Sequence, residues 1–212
     1  MKKKYKLTKE SKTIRTENGD VITLYRIQSL RNFGHVKKGE LGGYIEKPKN
    51  LSNNDNCWVS GNAKVFGNAR VSEDARVEDN TYVFGDSEVS GNVLIADKAI
   101  IKDNAKVYGN ALIEDKTIIC DNSKVCGNSV ISGNSRIEDN AEIYGEASIQ
   151  DNSIIRDNAK VHESASIHDN SVIENNAEIC GFVSIRGNTK NRSRWIYKNR
   201  CRLYYNKRIR QF

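Results

Sequence analysis

The sequence is poor in the residues from which a single large core or a membrane segment is built. Only 37% of its 212 residues are hydrophobic, and it contains one proline, one methionine and two tryptophans. Its mean hydropathy of −0.67 is low for a globule with one central core, whereas a repeat fold needs only a thin buried stripe in each unit. The single proline excludes a collagen-like or proline-rich chain.

Membrane and secretory segments are missing as well. No apolar run approaches the roughly 18 residues that a membrane-spanning helix needs, and the basic start MKKKYKLTKE is not followed by the apolar stretch of a secretory signal. We therefore expect no membrane contact, reduced thiols and a cytoplasmic location. The cysteines are odd in number and scattered, at Cys57, Cys120, Cys126, Cys180 and Cys201.

Acidic and basic residues are segregated along the chain, whose formal net charge is +7. Residues 1–58 carry a net charge of +7, residues 59–188 carry −9 and residues 189–212 carry +9. The sequence thus predicts an acidic middle with basic ends. An acidic body favours basic partners, and a basic end favours nucleic acid.

A six-residue repeat, here called the hexad, occupies the acidic middle. Every sixth residue from Val59 to Ile185 is Val or Ile, without insertion, and the residue two positions earlier is nearly always Ala, Ser or Thr. A Gly or Asp followed by Asn or Asp usually comes just before the small residue. Val and Ile favour extended backbone, whereas Gly and Asn tolerate positive φ and Asx side chains bond their own nearby backbone. Each hexad therefore predicts a short strand and a sharp corner.

Hexads such as V-F-G-N-A-R (65–70) and I-Y-G-E-A-S (143–148) resemble the hexapeptide-repeat superfamily over residues 51–188. The resemblance implies an all-β fold, a left-handed parallel β-helix of about seven triangular coils with three hexads in each coil. Residues 18 positions apart would then lie above one another, about 4.8 Å apart.

The segments L-Y-R-I-Q-S-L-R-N-F (24–33) and V-K-K-G-E-L-G-G-Y-I-E-K (36–47) resemble the opening of a phage- and prophage-associated group of hexapeptide proteins. Some members of that group are described as acyltransferases. We interpret residues 1–50 as a small N-terminal β cap with a hairpin turn at N-G-D (18–20). The cap would cover the edge of the first coil. Residues 51–188 form the β-helix and residues 189–212 a basic tail.

Outward positions 18 residues apart form two apolar ladders. We interpret them as an oligomer or partner interface, because long exposed aliphatic stripes mark contact surfaces. The preference of β-branched residues for strands is the alternative explanation. The resemblance implies a homotrimer, and a dimer stays open. The predicted interface residues are Tyr82, Ile100, Ile118, Ile154, Val172, Leu94, Leu112 and Val130.

A mixed ladder of aromatic, thiol and imidazole side chains lies on another edge. We consider Tyr108, Tyr144 and His162 a candidate partner surface. A Cys–His pair is also the pairing of a nucleophile with its base, although a mixed surface ladder is the simpler interpretation. Because the cysteines of this ladder are three coils apart and His168 falls on a different face, we expect no metal site. The ladder comprises Tyr108, Cys126, Tyr144, His162 and Cys180.

The uninterrupted hexads favour a binding protein over an enzyme. The acyltransferases of the superfamily use a loop that leaves the β-helix and a histidine as general base, and this chain has no insertion. We expect a non-catalytic protein without a cofactor. In the setting that the resemblance implies, it would inhibit a bacterial defence system, such as a CRISPR effector, by contacting a protein in the cytoplasm of the bacterial host. The alternative is an acyl-CoA-dependent O- or N-acyltransferase with His162 or His168 as base.

The basic tail supports a second alternative, which is nucleic-acid binding. Its aromatic residues could instead cover the last coil, and charge runs are often plain solvated segments. The residues predicted for either role are Arg192, Arg194, Trp195, Arg200, Arg202, Tyr204 and Arg208.

Overall fold

Two-residue strands that recur every six positions wind the chain into a parallel β-solenoid. A computed structural model describes residues 3–16 and 18–191, with the side chain of residue 191 left out. Successive strands pass through three sheets in turn, so each strand pairs with the strand 18 residues away. The expected all-β fold of stacked parallel coils with an N-terminal cap is confirmed. The left-handed sense of winding stays a prediction.

Sheet A contains the cap and eight solenoid strands. It begins with the antiparallel hairpin β1 (Tyr5–Arg15) and β2 (Val21–Ser29). Next comes β3 (Leu41–Ile45), which runs parallel to β5, the first solenoid strand of this sheet. The solenoid strands of sheet A are β5 (Lys64–Val65), β8 (Tyr82–Val83), β11 (Ile100–Ile101), β14 (Ile118–Ile119), β17 (Arg136–Ile137), β20 (Ile154–Ile155), β23 (Val172–Ile173) and β26 (Lys190–Asn191).

Sheets B and C form the other two sides of the solenoid. Sheet B has eight strands: β4 (Trp58–Val59), β7 (Arg76–Val77), β10 (Leu94–Ile95), β13 (Leu112–Ile113), β16 (Val130–Ile131), β19 (Ser148–Ile149), β22 (Ser166–Ile167) and β25 (Ser184–Ile185). Sheet C has seven: β6 (Arg70–Val71), β9 (Glu88–Val89), β12 (Lys106–Val107), β15 (Lys124–Val125), β18 (Glu142–Ile143), β21 (Lys160–Val161) and β24 (Glu178–Ile179). The only helical element in the described residues is a 3₁₀ turn, Pro48–Asn50.

The interior is a ladder of Val and Ile side chains backed by the small residues, as the hexad predicts. The second residue of nearly every solenoid strand is fully buried, and so are the small residues of the corners. Small size matters here because the corner must fit inside the coil. Where the small residue is serine, its hydroxyl can satisfy the corner backbone: Ser123 Oγ donates to the carbonyl of Cys120 at 2.6 Å.

The hairpin of the cap forms at the predicted turn. Arg15 pairs with Val21, and Gly19 adopts a φ of 87°, which glycine reaches without steric strain. Because β3 joins sheet A in register with β5, the cap extends one side of the solenoid rather than sitting on it as a separate body. Sheet A therefore runs continuously from the cap to the last described coil.

A buried lysine and three aromatic rings close the N-terminal end of the interior. Phe33 packs edge-on against Trp58 with ring centroids 5.4 Å apart, and Tyr5 contacts the same indole at 6.5 Å. Lys4 is fully buried, and its Nζ donates to the carbonyl oxygens of Asn54 and Cys57 at 3.0 and 2.9 Å. Burial lowers the pKa of Lys4. Nothing in the basic start MKKK indicates this role.

Candidate functional site

Sheet A presents an apolar stripe on its outer face. The predicted ladder is confirmed in register: Ile100 pairs with Tyr82 on one side and Ile118 on the other, and Ile154 pairs with Val172. All five side chains are half-exposed. Arg136 interrupts the ladder, and its guanidinium is paired with the Glu138 carboxylate at 2.8 Å. We call Tyr82, Ile100, Ile118, Ile154 and Val172 the apolar stripe.

Aspartates line both corners that border sheet A. One column lies between the strands of sheets B and A, and the other lies between those of sheets A and C. These aspartates are exposed or half-exposed and have φ between 57° and 62°. The first acidic ladder comprises Asp79, Asp97, Asp115, Asp151 and Asp169, and the second comprises Asp103, Asp121, Asp139 and Asp157.

The corner aspartates join successive coils, which differs from the sequence expectation. We expected Asx side chains to bond their own nearby backbone. Instead, Asp97 Oδ2 accepts the backbone N–H of Asp115 at 3.1 Å, and Asp139 Oδ2 accepts that of Asp157 at 3.0 Å. The stacking of coils, invisible within one hexad, places the amide 18 residues on within reach. The asparagines that follow stack similarly, and the Asn140 amide donates to Asn158 at 3.3 Å.

A cavity of about 460 Å³ opens beside the second acidic ladder. Its lining side chains are acidic or polar except for Arg156. That guanidinium is paired with Glu174, which is almost fully buried, and Lys190 Nζ lies 3.6 Å from the same carboxylate. The cavity is lined by Glu138, Asp139, Arg156, Asp157, Glu174 and Asn175. It is therefore a charged groove in which the cations already have partners.

Sheet C carries alternating charges that compensate one another. Lys106 pairs with Glu88 at 3.0 Å, and Glu142 pairs with both Lys124 and Lys160 at 3.1 Å. The hydrogen bond from Lys160, followed by the one from Lys124, lowers the pKa of Glu142. Most charges of this face are thus paired with one another, and Arg70 is an exposed member of the ladder that makes no ion pair among the described residues.

The predicted apolar ladder of sheet B covers part of that sheet. Leu94, Leu112 and Val130 stack in register and are half-exposed. Beyond Val130 the ladder continues as serines, beginning with Ser148. Sheet B is bordered by the first acidic ladder on one side only.

The mixed ladder on the edge between sheets C and B contains the first candidate histidine. The rings of His162 and Tyr144 are stacked, with centroids 4.5 Å apart and planes 6° from parallel. His162 Nε2 lies 3.1 Å from Glu178 Oε1. The hexad pattern does not point to this carboxylate, because Glu178 belongs to the sheet C ladder. Beside it, Cys180 is buried, while Tyr108 lies at the exposed end of the ladder.

The second candidate histidine lies on the opposite side of sheet B. His168 Nε2 and Ser166 Oγ are 2.8 Å apart, and burial lowers the pKa of His168, with a further contribution from Arg186. The hydrogen bond is of the kind that joins a nucleophile and its base. The groove near sheet A is lined by neither His168 nor His162.

One group of metal-ligand types occurs among the described residues. A carboxylate oxygen of Asp103, one of Asp121 and the sulfur of Cys120 lie within 4.8 Å of one another. Burial, followed by the hydrogen bond to Asp121, raises the pKa of Cys120 to about 12. Without a metal ion the sulfur is therefore held as a thiol, and a metal bound here would have to displace its proton. Among the described residues, Cys126, Cys180, His162 and His168 belong to no such group.

Comparisons with known proteins assign no family. No protein-family model matches the chain, and no curated protein is significantly similar to it. Among the described residues, no helix combines the length and apolar character of a membrane span. The residues predicted to contact nucleic acid or cover the last coil lie outside the described residues: Arg192, Arg194, Trp195, Arg200, Arg202, Tyr204 and Arg208.

Proposed function

We propose that the protein is a non-catalytic binding protein that contacts another macromolecule along the outer face of sheet A. The observation that carries the proposal is the apolar stripe bordered on both sides by acidic ladders. A continuous stripe of partly buried apolar side chains on an outer face supports an interaction surface. On the outer face of sheet C, by contrast, most charges are paired with one another. On sheet B the outward ladder is apolar over only three successive coils.

The histidines support a structural role better than a catalytic one. A general base needs a substrate-sized site within hydrogen-bond reach. His162 is stacked on Tyr144 and faces Glu178 of its own chain, and only 12% of its side chain is exposed. The groove near sheet A is lined by neither histidine. An acyl-CoA-dependent transferase is therefore the second candidate, with His162 oriented by Glu178 or His168 by Ser166.

The biological class that we propose is an inhibitor of a bacterial defence system, acting by protein contact in the cytoplasm of the host. An acidic rod suits this role, because it can occupy the basic surface with which a defence protein holds nucleic acid. A CRISPR effector is one such protein. The proposal needs no cofactor and no membrane.

Affinity purification from a bacterial host tests the function. Four proteins are compared: the tagged wild type, Ile118→Glu on the stripe, Ser148→Glu on sheet B as a matched control, and a His162→Ala/His168→Ala double variant. We expect one stoichiometric bacterial protein with all of them except Ile118→Glu, while circular dichroism shows that every variant is folded. Release of free thiol from acyl-CoA by the wild type, abolished in the double histidine variant, would establish the transferase instead.

A further inference from the structure

The outer face of sheet A combines two chemistries in a fixed geometry. Ile100 and Ile118 lie in the middle, and the two acidic ladders run parallel to them on either side. Asp97 and Asp103 flank Ile100 within a single seven-residue stretch, so the ladders are no more than about 20 Å apart. An α-helix with its side chains is about 10–12 Å wide. Two helices side by side are therefore too wide for this face, and the occupant that its width suits is one helix lying along the rod.

The cap already places apolar and basic groups on this face. Leu24 of β2 is fully buried against Tyr44 and Phe66, and Tyr82 of the stripe packs against the same cluster. Lys12 Nζ and Lys64 Nζ lie over the Tyr44 and Tyr82 rings, at 4.2 and 4.3 Å. The first rungs of the face are thus covered by apolar side chains with cations around them. The later rungs, beginning at Ile100, have no such cover within the described residues.

We propose that the apolar stripe and its two acidic ladders bind an amphipathic basic α-helix of a partner protein, laid along the rod axis. This inference rests on the proposed function and names the chemistry of the partner. Side chains at i, i+3, i+4 and i+7 give a helix one apolar ridge, and its turns repeat every 5.4 Å, close to the roughly 4.8 Å between coils. Lysines or arginines on both flanks of the ridge then meet the aspartates.

Charge decides between this occupant and the others. A second copy of the chain placed face to face would set aspartate ladders against aspartate ladders. Nucleic acid would bring phosphates to the same carboxylates and is repelled for the same reason. Arg136, which interrupts the stripe, is paired with Glu138, and Lys102 is paired with Asp103 of the second ladder at 3.6 Å. The nine aspartates of the two ladders still outnumber the cations beside them, which are Lys98, Lys102, Lys116 and Arg156.

A synthetic peptide of about 20 residues measures the binding, because about 30 Å of helix spans the stripe. Its leucines follow the i, i+3, i+4, i+7 spacing, and lysines border them on both sides. Two control peptides carry glutamates for the lysines, or two central prolines that break the helix. Binding to the full chain is followed by isothermal calorimetry, and helix formation by circular dichroism.

Protein variants locate the site. Asparagine is tolerated at the corners, because Asn175 has a φ of 62° in the second column. The face variant is Asp97→Asn/Asp103→Asn/Asp115→Asn/Asp121→Asn. The matched control removes the same number of charges from the third edge, which is the corner between sheets C and B. This third-edge variant is Glu73→Gln/Asp74→Asn/Glu146→Gln/Glu163→Gln.

We expect the lysine peptide to bind as a helix. The face variant should weaken binding about tenfold or more, because it removes four exposed charges that face the lysines. The third-edge variant should bind within about twofold of the wild type. Equal weakening in both variants, or equal binding of the proline peptide, would overturn the helix proposal. So would loss of self-association in Ile118→Glu, which would assign the face to a second copy. If the peptide fails while Ile118→Glu still loses a bacterial partner, the binding function stands and only the helix is wrong.

Discussion

At the scale of single residues, the corner aspartates serve the fold and the surface together. Asp97 Oδ2 accepts a backbone N–H of the next coil, yet the carboxylate keeps its charge at the surface. A glycine at the same corner position has no side chain, so it offers no acceptor to the amide 18 positions further along the chain. An asparagine would satisfy the amide without charge. The aspartates therefore add an anionic surface to a corner that needs only an acceptor.

Two serines in equivalent corners test how the small column is satisfied. Ser123 Oγ donates to Cys120 O, whereas Ser87 Oγ is buried without a hydrogen-bond partner among the described residues. Ser87→Ala should raise the free energy of unfolding by about 1 kcal/mol, because it removes an unpaired buried hydroxyl, and Ser123→Ala should lower it by about 1 kcal/mol. Urea denaturation measures both. Equal changes of the same sign would contradict the assignment.

At the scale of the element, the sheet C ladder predicts an acid-sensitive contribution. The pKa of Glu142 is lowered from its ordinary value of 4.5, so its ion pairs stabilise the fold above that pH and are lost as the pH falls through the lowered value. Glu142→Gln should reduce the free energy of unfolding at pH 7 by less than about 1 kcal/mol, since the pair is partly solvated.

The same comparison in acid should show a smaller difference, because the wild-type carboxyl is progressively protonated as the pH falls through its lowered pKa. Glu73→Gln is the control, as Glu73 makes no ion pair among the described residues. Its free energy of unfolding should stay within a few tenths of a kcal/mol of the wild type at pH 7 and in acid. A Glu142→Gln deficit that persists undiminished in acid would mean that packing, not charge, causes it.

The hexad predicts the strands and corners well, because each of its six positions has one structural role. Val and Ile must face inward, small residues must fit the corner, and the register of 18 follows from three hexads per coil. Contacts that join different coils were harder to foresee. Glu178 reaches His162 from a neighbouring ladder, and Lys4 reaches the carbonyl of Cys57 across 53 positions. Such pairs depend on side-chain length and on how the cap closes, and neither is periodic.

At the scale of the whole molecule, sheet B is where we predict self-association. Its apolar rungs Leu94, Leu112 and Val130 border only one acidic ladder, so copies can approach with less repulsion than across sheet A. Sedimentation velocity should give a species of two or three times the 23.9 kDa chain mass. Leu112→Lys should shift it to the monomer, and Ser148→Lys, one polar rung beyond the ladder, should not. A monomeric wild type would contradict this assignment.

The direction of the backbone hydrogen bonds has a mechanical consequence. Every bond between coils, such as Ile118 N–H to the carbonyl of Ser135 at 2.9 Å, links one coil to the next along the rod. A pull on the two ends loads these bonds one coil at a time, so the rod should yield by peeling instead of breaking as a unit. Each coil released would lengthen the chain by about 60 Å of extended backbone. We therefore expect a rod that lengthens in small, even steps under load and rewinds when the force drops.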